Sequence, residues 1–144
     1  MPPDRFEVLV LDLLVRLGYG GTHGKSLQLG RSGDGGVDGV IQQDKLGLDL
    51  IYVQAKRWQG TVGSSVVREF AGSIAAKRAH RGVILTTATF TKDALADAER
   101  MNDRIVLVDG PKLAELMFEV GLGVTVEATY EVKRLDSDYF ETIE

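Results

Sequence analysis

A glycine-rich segment with an embedded acid is followed along the chain by a closely spaced polar pair. Asp38 lies in the segment GDGGVDG at residues 33–39, and Gln54 and Lys56 lie two positions apart in the segment VQAK. Residues two apart in a strand project from the same face. A hairpin turning at residues 44–47 would place residue 38 opposite residues 53–54. A carboxylate, an amide oxygen, a main-chain carbonyl and an ammonium are therefore expected to face one pocket.

These groups have the chemistry of a phosphodiester-hydrolysing site. Carboxylate and carbonyl oxygens are the ligands that Mg²⁺ prefers. Such an ion would polarise a phosphate and activate water, while the Lys56 ammonium stabilises charge that develops on the phosphate oxygens. The glycines at 33–36 would let a DNA backbone approach the loop closely.

Each of these residues also has a purely structural interpretation. Asp38 and Asp34 lie beside glycines, where Asp is common in turns. We keep the turn interpretation for Asp34 and favour metal binding for Asp38, because Asp38 is in register with the polar pair. Gln54 and Lys56 could be exposed strand positions, but they end an otherwise apolar strand, which favours a functional role.

The elements that must position these residues can be read from periodicity. Phe6 to Leu17 carry apolar side chains at helical spacing, with Asp4 as the N-cap and Gly18 as the helix-ending residue. The predicted strands are 26–29, 37–43, 48–56, 83–87, 105–108 and 124–133. The further predicted helices are 64–79, 91–101 and 111–120. Gly82 is expected to stop the first of these helices, and Thr91 is the expected N-cap of the second. This order predicts a single α/β domain over residues 1–144, with a mixed sheet flanked by helices on both faces.

Composition limits the remaining function classes. The chain has 144 residues, a net charge of −4 and no cysteine, and it lacks an apolar run of the roughly 20 residues that a membrane span needs. We expect a cytoplasmic protein.

The segment 54–81 is basic although the whole chain is acidic: it holds six Lys or Arg and one acid, Glu69. Arg57, Trp58, Lys77 and Arg78 are candidate DNA contacts, although Trp58 could equally be a core residue and the last two could simply complement a helix dipole.

The motifs resemble a known family across nearly the whole chain. The matching segments are Phe6-Glu7, Leu17-Gly18-Tyr19, residues 33–39, residues 53–58, residues 66–70, residues 82–87 and the tail 130–140. Together they resemble the catalytic domain of Mrr-type restriction endonucleases, within the PD-(D/E)xK nuclease superfamily. The resemblance implies a restriction-endonuclease-like αβββαβ core and Mg²⁺-dependent DNA cleavage, with Mn²⁺ as a substitute ion.

The resemblance also assigns roles by position. It makes Asp38 the metal-binding acid, Gln54 the residue at the usual glutamate position and Lys56 the catalytic lysine. The Ala55 carbonyl would be a further metal ligand. Glu7 matches a helix acid that often completes such sites, although the same spacing from Asp4 also fits a capping box. DNA is the implied partner, with a homodimer for double-strand cleavage and a separate recognition domain or subunit as further expectations.

Two other functions stay open from the sequence. The first is a catalytically weak or inactive, nuclease-derived module that binds DNA. The second is an acidic interaction domain that does not bind nucleic acid, in line with the net charge.

Overall fold

The computed structural model describes residues 3–19, 26–28, 37–43, 48–57 and 60–123. The helices are α1 (Pro3–Arg16), α2 (Ser64–Ala76), α3 (Lys92–Arg100) and α4 (Gly110–Val120). The strands are β1 (Ser26–Gln28), β2 (Gly39–Gln42), β3 (Leu50–Lys56), β4 (Thr61–Val62), β5 (Arg81–Thr86), β6 (Thr89–Phe90) and β7 (Arg104–Val108). The predicted αβββαβ order is confirmed. The turn predicted at 44–47 and the strand predicted at 124–133 lie outside the described residues.

The main sheet is mixed, as the sequence predicts. Its strand order is β1-β2-β3-β5-β7. The β1–β2 and β2–β3 pairs are antiparallel, and the β3–β5 and β5–β7 pairs are parallel. In the β2–β3 hairpin Gly39 lies opposite Val53 and Gln42 lies opposite Leu50. Just before this pairing Asp38 bonds to Val53 through its N–H and to Ala55 through its carboxylate, so residue 38 lies near residues 53–54, as expected from the position of the turn.

Helices cover both faces of this sheet and bury two apolar clusters. On one face α1 and α4 pack against Ile51, Val53 and Ala55 of β3. On the other face α2 and α3 pack against β5, β7 and Tyr52 of β3. Because side chains alternate along a strand, Gln54 and Lys56 belong to the face that carries Tyr52 and α2.

The first helix ends as predicted but begins earlier than predicted. Gly18 has φ of 101°, and the N–H groups of Gly18 and Tyr19 donate to the carbonyls of Val15 and Leu14. This is the Schellman pattern, in which glycine accepts the left-handed conformation. The helix starts at Pro3, so the prediction that Asp4 is the N-cap is wrong. Proline suits the first helical position because its φ is already helical and it has no N–H to satisfy.

The second helix ends three residues before the predicted end, and glycine is not what stops it. Arg78 takes φ of 59°, and the N–H groups of Arg78 and Ala79 donate to Ala75 and Ile74 in a second Schellman pattern. Gly82 instead lies within β5, where an added Cβ would lie 2.5 Å from Cε2 of Phe70. Its role is therefore to let the Phe70 ring lie directly on the sheet.

An ion-paired carboxylate links α2 to α3. Asp97 accepts a hydrogen bond of 2.6 Å from Arg100 and lies 3.7 Å from the guanidinium of Arg68. The hydrogen bond from Arg100 is the main reason why the pKa of Asp97 lies below its usual value. The pair therefore favours the charged carboxylate and fixes how the two helices lie together.

The structure also contains a second, small sheet that the sequence analysis did not predict. Strands β4 and β6 pair in parallel, with Thr61 beside Thr89 and Val62 beside Phe90. Two-residue strands are too short to show an alternating pattern. Within the described residues, no helix combines the length and the hydropathy needed to cross a membrane.

Candidate active site

The candidate site lies where β2 separates from β3. The Asp38 N–H donates to the Val53 carbonyl at 2.8 Å, which is the last main-chain bond from that side of the hairpin to β3. Two residues further along β3, the Asp38 carboxylate replaces the main chain as the bonding partner: its Oδ2 accepts from the Ala55 N–H at 2.7 Å. The acid is thus part of the strand pairing itself, and its half-buried side chain is held against the end of β3.

Gln54 directly precedes Ala55 on β3 and has an unsatisfied side-chain oxygen. Its side chain is only 4% exposed, and its Oε1 atom has no hydrogen-bond partner among the described residues. A buried amide oxygen left unpaired costs about 1–3 kcal/mol. A buried, unpaired oxygen next along the strand to the residue that binds Asp38 is what a site prepared for a cation would contain.

Lys56 is the last residue of β3 and shares a face with Gln54. Its side chain is half-buried, at the point where the chain leaves the sheet. Its main-chain carbonyl accepts from the Thr86 hydroxyl at 2.6 Å and from the Thr87 N–H at 3.3 Å. The lysine backbone is therefore fixed by the neighbouring strand β5.

Glu7 lies on the buried side of α1 and is 6% exposed. Farther along the same helix, Leu14 and Leu17 line a cavity of about 600 Å³ that Arg81 and Arg104, at the beginnings of β5 and β7, also line. The C-terminal half of α1 thus lies over the beginnings of the parallel strands. Glu7 lies two to three turns earlier in the helix, on the sheet face opposite to that of Gln54 and Lys56. This burial also disfavours the capping-box interpretation, which would leave the acid at the solvent-exposed start of the helix.

These donors fit a hard divalent cation. The Val53 carbonyl and the Ala55 N–H both point toward Asp38. Since the N–H and C=O of one strand residue point to the same side, the Ala55 carbonyl also points that way. A carboxylate, an unpaired amide oxygen and a main-chain carbonyl then surround one position, and Mg²⁺ accepts such oxygen ligands. Among the described residues there is no group of three or more His, Cys, Asp or Glu that could hold a metal, and this set of donors contains one acid, Asp38.

The structure separates the candidate DNA contacts into two places. Arg57 is exposed and directly follows Lys56, so it lies at the edge of the candidate site, whereas Trp58 lies outside the described residues. Lys77 and Arg78 follow α2 and come just before β5, at the far end of the sheet. The β3–β5 pairing runs from Tyr52 to Lys56. At roughly 3.3 Å per residue, the Tyr52 end of this pairing, which is nearer to Lys77 and Arg78, lies about 13 Å from the Lys56 end.

Thr86 belongs to the site in a way that sequence reasoning missed. The sequence analysis placed it only within an apolar strand at residues 83–87. The structure buries it completely, with its hydroxyl hydrogen-bonded to the Lys56 carbonyl. The available signal was a hydroxyl-bearing residue at the end of an apolar run, where a polar group must find a partner.

Comparison with known proteins gives three findings. Residues 1–117 match the model of the Mrr_cat family, described as a restriction endonuclease. The chain is 51% identical over 139 residues to the Type IV methyl-directed restriction enzyme EcoKMrr of Escherichia coli (strain K12). That match covers 96% of this chain and 45% of the relative, so the chain spans less than half the length of that enzyme.

Two solved structures have a similar fold. The DNA modification-dependent restriction endonuclease AspBHI superposes with a TM-score of 0.67 at 19% identity, covering 85% of this chain and 32% of that one. The MspJI restriction endonuclease, in complex with a 27-mer oligonucleotide, superposes with a TM-score of 0.56 at 27% identity, covering 78% and 27%. At 19% identity the first likeness concerns the fold alone.

Proposed function

The chain belongs to the Mrr family of restriction endonucleases, and we propose that it is a Mg²⁺-dependent endodeoxyribonuclease that hydrolyses DNA phosphodiester bonds. One observation carries the proposal beyond the family: the Oε1 of Gln54 is buried with no partner among the described residues, and the next residue, Ala55, donates its N–H to the Asp38 carboxylate. An atom in that condition lowers stability unless something binds it. A divalent cation supplied with the substrate is the partner that fits.

Three groups would hold the ion: the Asp38 carboxylate, the Gln54 amide oxygen and the Ala55 carbonyl. When bound, Mg²⁺ would polarise the scissile phosphate and make a coordinated water more acidic. The protein's contribution is to fix the oxygen donors before the ion arrives. Asp38 is fixed by its bond to the Ala55 N–H, and Gln54 by its burial.

Lys56 and Glu7 complete the catalytic group in this proposal. Lys56 leaves the sheet on the same face as Gln54, so its ammonium can hydrogen-bond the phosphate oxygens and stabilise the charge that grows in the transition state. Glu7 is buried on α1, which packs on the other face of the sheet, and in this proposal it adds negative charge near the ion from that side. A carboxylate there partly offsets the charge that is lost because residue 54 is not glutamate.

DNA is the proposed partner, and Arg57 is the described cation closest in sequence to the lysine. A single active site cuts one strand, so we propose that two copies of the chain cooperate in double-strand cleavage. The Escherichia coli relative is a methyl-directed restriction enzyme and is more than twice as long as this chain. We therefore propose that recognition of modified DNA involves a separate domain or subunit, and that this chain supplies the cleavage.

The test uses methylated and unmethylated supercoiled plasmid with Mg²⁺, with Mn²⁺ and with EDTA. Asp38→Asn keeps an oxygen that can accept from the Ala55 N–H but removes the charge, and Lys56→Ala removes the ammonium. We expect each variant to lose on the order of 10²-fold or more in nicking rate, the usual effect of removing an electrostatic group from such a site. Lys112→Ala is the matched control, because Lys112 is exposed on α4 and pairs only loosely with Glu115 at 3.7 Å.

Thermal melting of each variant shows whether the fold is intact. Unchanged nicking by folded Asp38→Asn or Lys56→Ala protein would contradict the assignment. Salt-sensitive binding of DNA with no cleavage in either metal would instead support the alternative of a nuclease-derived binding module, since salt sensitivity reports phosphate contacts.

A further inference from the structure

Thr86 makes two hydrogen bonds at the end of β3 that a strand residue of this type does not ordinarily make. Its hydroxyl donates to the Lys56 carbonyl at 2.6 Å and accepts from the Ala88 N–H at 3.1 Å. Because one bond is donated and the other accepted, the hydroxyl rotor has a single satisfied orientation. The residue is 0% exposed, so water does not compete for either bond.

The Lys56 peptide depends on that hydroxyl because the regular ladder is ending there. The β3–β5 pairing stops at Lys56 and Thr86, and the next main-chain bond, from the Thr87 N–H to the Lys56 carbonyl, is 3.3 Å long. On the other side of β3 the hairpin partner has already separated. The short bond from Thr86 is therefore the strongest contact on the last carbonyl of the strand.

The residues that follow Thr86 are bonded in turn to the start of α4. The Gly110 N–H, at the start of α4, donates to the Ala88 carbonyl at 2.7 Å. A Cβ on Gly110 would lie 2.4 Å from the Thr87 carbonyl oxygen, so the helix start and the turn are in direct contact. The chain of contacts runs from α4 through residues 86–88 to the Lys56 carbonyl, one peptide beyond the Ala55 carbonyl that is proposed as a metal donor.

We propose that Thr86 is a positioning residue for the cleavage reaction: its buried hydroxyl fixes the Lys56 main chain and thereby the place from which the ammonium reaches the phosphate. This inference rests on the proposed nuclease function. Without the hydroxyl the Lys56 peptide can rotate about the end of the strand, and the ammonium is displaced. A displacement of about 1 Å in a catalytic group can cost on the order of 10²-fold in rate.

The test compares Thr86→Val, which keeps the shape but removes the hydroxyl, with Thr86→Ser, which keeps the hydroxyl but removes the methyl group. We expect Thr86→Val to lower kcat by on the order of 10-fold to 10²-fold, with KM for plasmid DNA changed less than about twofold. We expect Thr86→Ser to restore kcat to within about threefold of the original, even if its melting temperature is lower. Thr89→Val, an exposed threonine on β6, is the matched control and should leave kcat unchanged.

A second measurement separates positioning of Lys56 from a general loss of structure. The rise in melting temperature on adding Mg²⁺ reports the metal donors, which Thr86 does not contact. This rise should be the same in Thr86→Val as in the original protein. The cleavage assays that give kcat are run at a temperature below the melting point of both proteins. A kcat of Thr86→Val equal to the original, or a Thr86→Ser variant as slow as Thr86→Val, would overturn the inference. Absence of cleavage by the original protein would overturn the proposed function instead.

Discussion

Replacing Gln54 by leucine is expected to make the metal-free protein more stable while abolishing DNA cleavage. The side chain is almost fully buried and its Oε1 is unpaired among the described residues. Leucine has a similar volume and no polar atom, so the substitution removes a desolvated group that costs about 1–3 kcal/mol. It also removes one of the three proposed cation ligands. Stability and activity should therefore change in opposite directions.

The size of the effect can be stated for thermal melting in EDTA. Allowing for imperfect fit of the branched side chain, we expect a gain of about 1–2 kcal/mol. For a domain of this length about 3 °C corresponds to each kcal/mol, so the melting temperature should rise by roughly 3–6 °C. Gln42→Leu is the matched control, because the same exchange is made on β2 at a half-exposed position away from the site. It should bring no comparable gain.

The response to Mg²⁺ provides the second half of the experiment. A ligand that binds only the folded state at about 100 times its Kd stabilises by about 2.7 kcal/mol. The original protein should show a rise of that order at saturation, and Gln54→Leu should lose most of it together with plasmid nicking. If Gln54→Leu melts lower than the original in EDTA and still responds to Mg²⁺, the reasoning from the unpaired oxygen is refuted.

Two further expectations concern the scaffold. Gly82→Ala should lower the free energy of unfolding in urea by about 1–3 kcal/mol, because its Cβ would lie 2.5 Å from Cε2 of Phe70; Gly72→Ala, whose Cβ would meet nothing within 4 Å, should instead raise it by about 0.5–1 kcal/mol. Asp97→Asn should lower stability at pH 7. The folded-state pKa of Asp97 is depressed by Arg100, so its contribution is present above the pKa of the unfolded carboxyl and is lost as the pH falls through the lower folded value. Urea titrations at pH 7 and near pH 3 should therefore show the difference between Asp97→Asn and the original protein shrinking at acid pH; an undiminished difference would contradict this expectation.

The hairpin register is the part of the site that sequence alone could predict. Side chains in a strand alternate with a period of two, and a turn centred near residue 46 fixes which residues face each other. From these two facts residue 38 was expected near residues 53–54, and in the structure Asp38 bonds to Val53 and Ala55 on either side of Gln54. The end of α1 at Gly18 was predictable for a similar reason, because a glycine after a helical stripe marks a residue that tolerates positive φ.

Other features depend on contacts that no local pattern reports. Arg78 takes a left-handed conformation that a sequence-based rule assigns to glycine, because the rest of the Schellman pattern and the packing of Ala79 hold it there. The burial of Glu7 depends on where α1 crosses the sheet. The pairing of β4 with β6 joins residues that are far apart in sequence and too few to show a period.

The early separation of β2 from β3 explains why the site forms where it does. Had β2 continued its regular pairing past Gly39, the Ala55 N–H and carbonyl would have been taken up by the main chain of β2. Instead the Asp38 side chain satisfies the Ala55 N–H, and the neighbouring carbonyl still points toward the gap between the strands. The Oε1 of Gln54, in the same stretch of β3, is buried without a protein partner among the described residues. In the proposed site the interrupted antiparallel ladder would therefore supply oxygen donors for the cation, while the parallel ladder on the other side of β3, which ends at Thr86, would hold the main chain of Lys56.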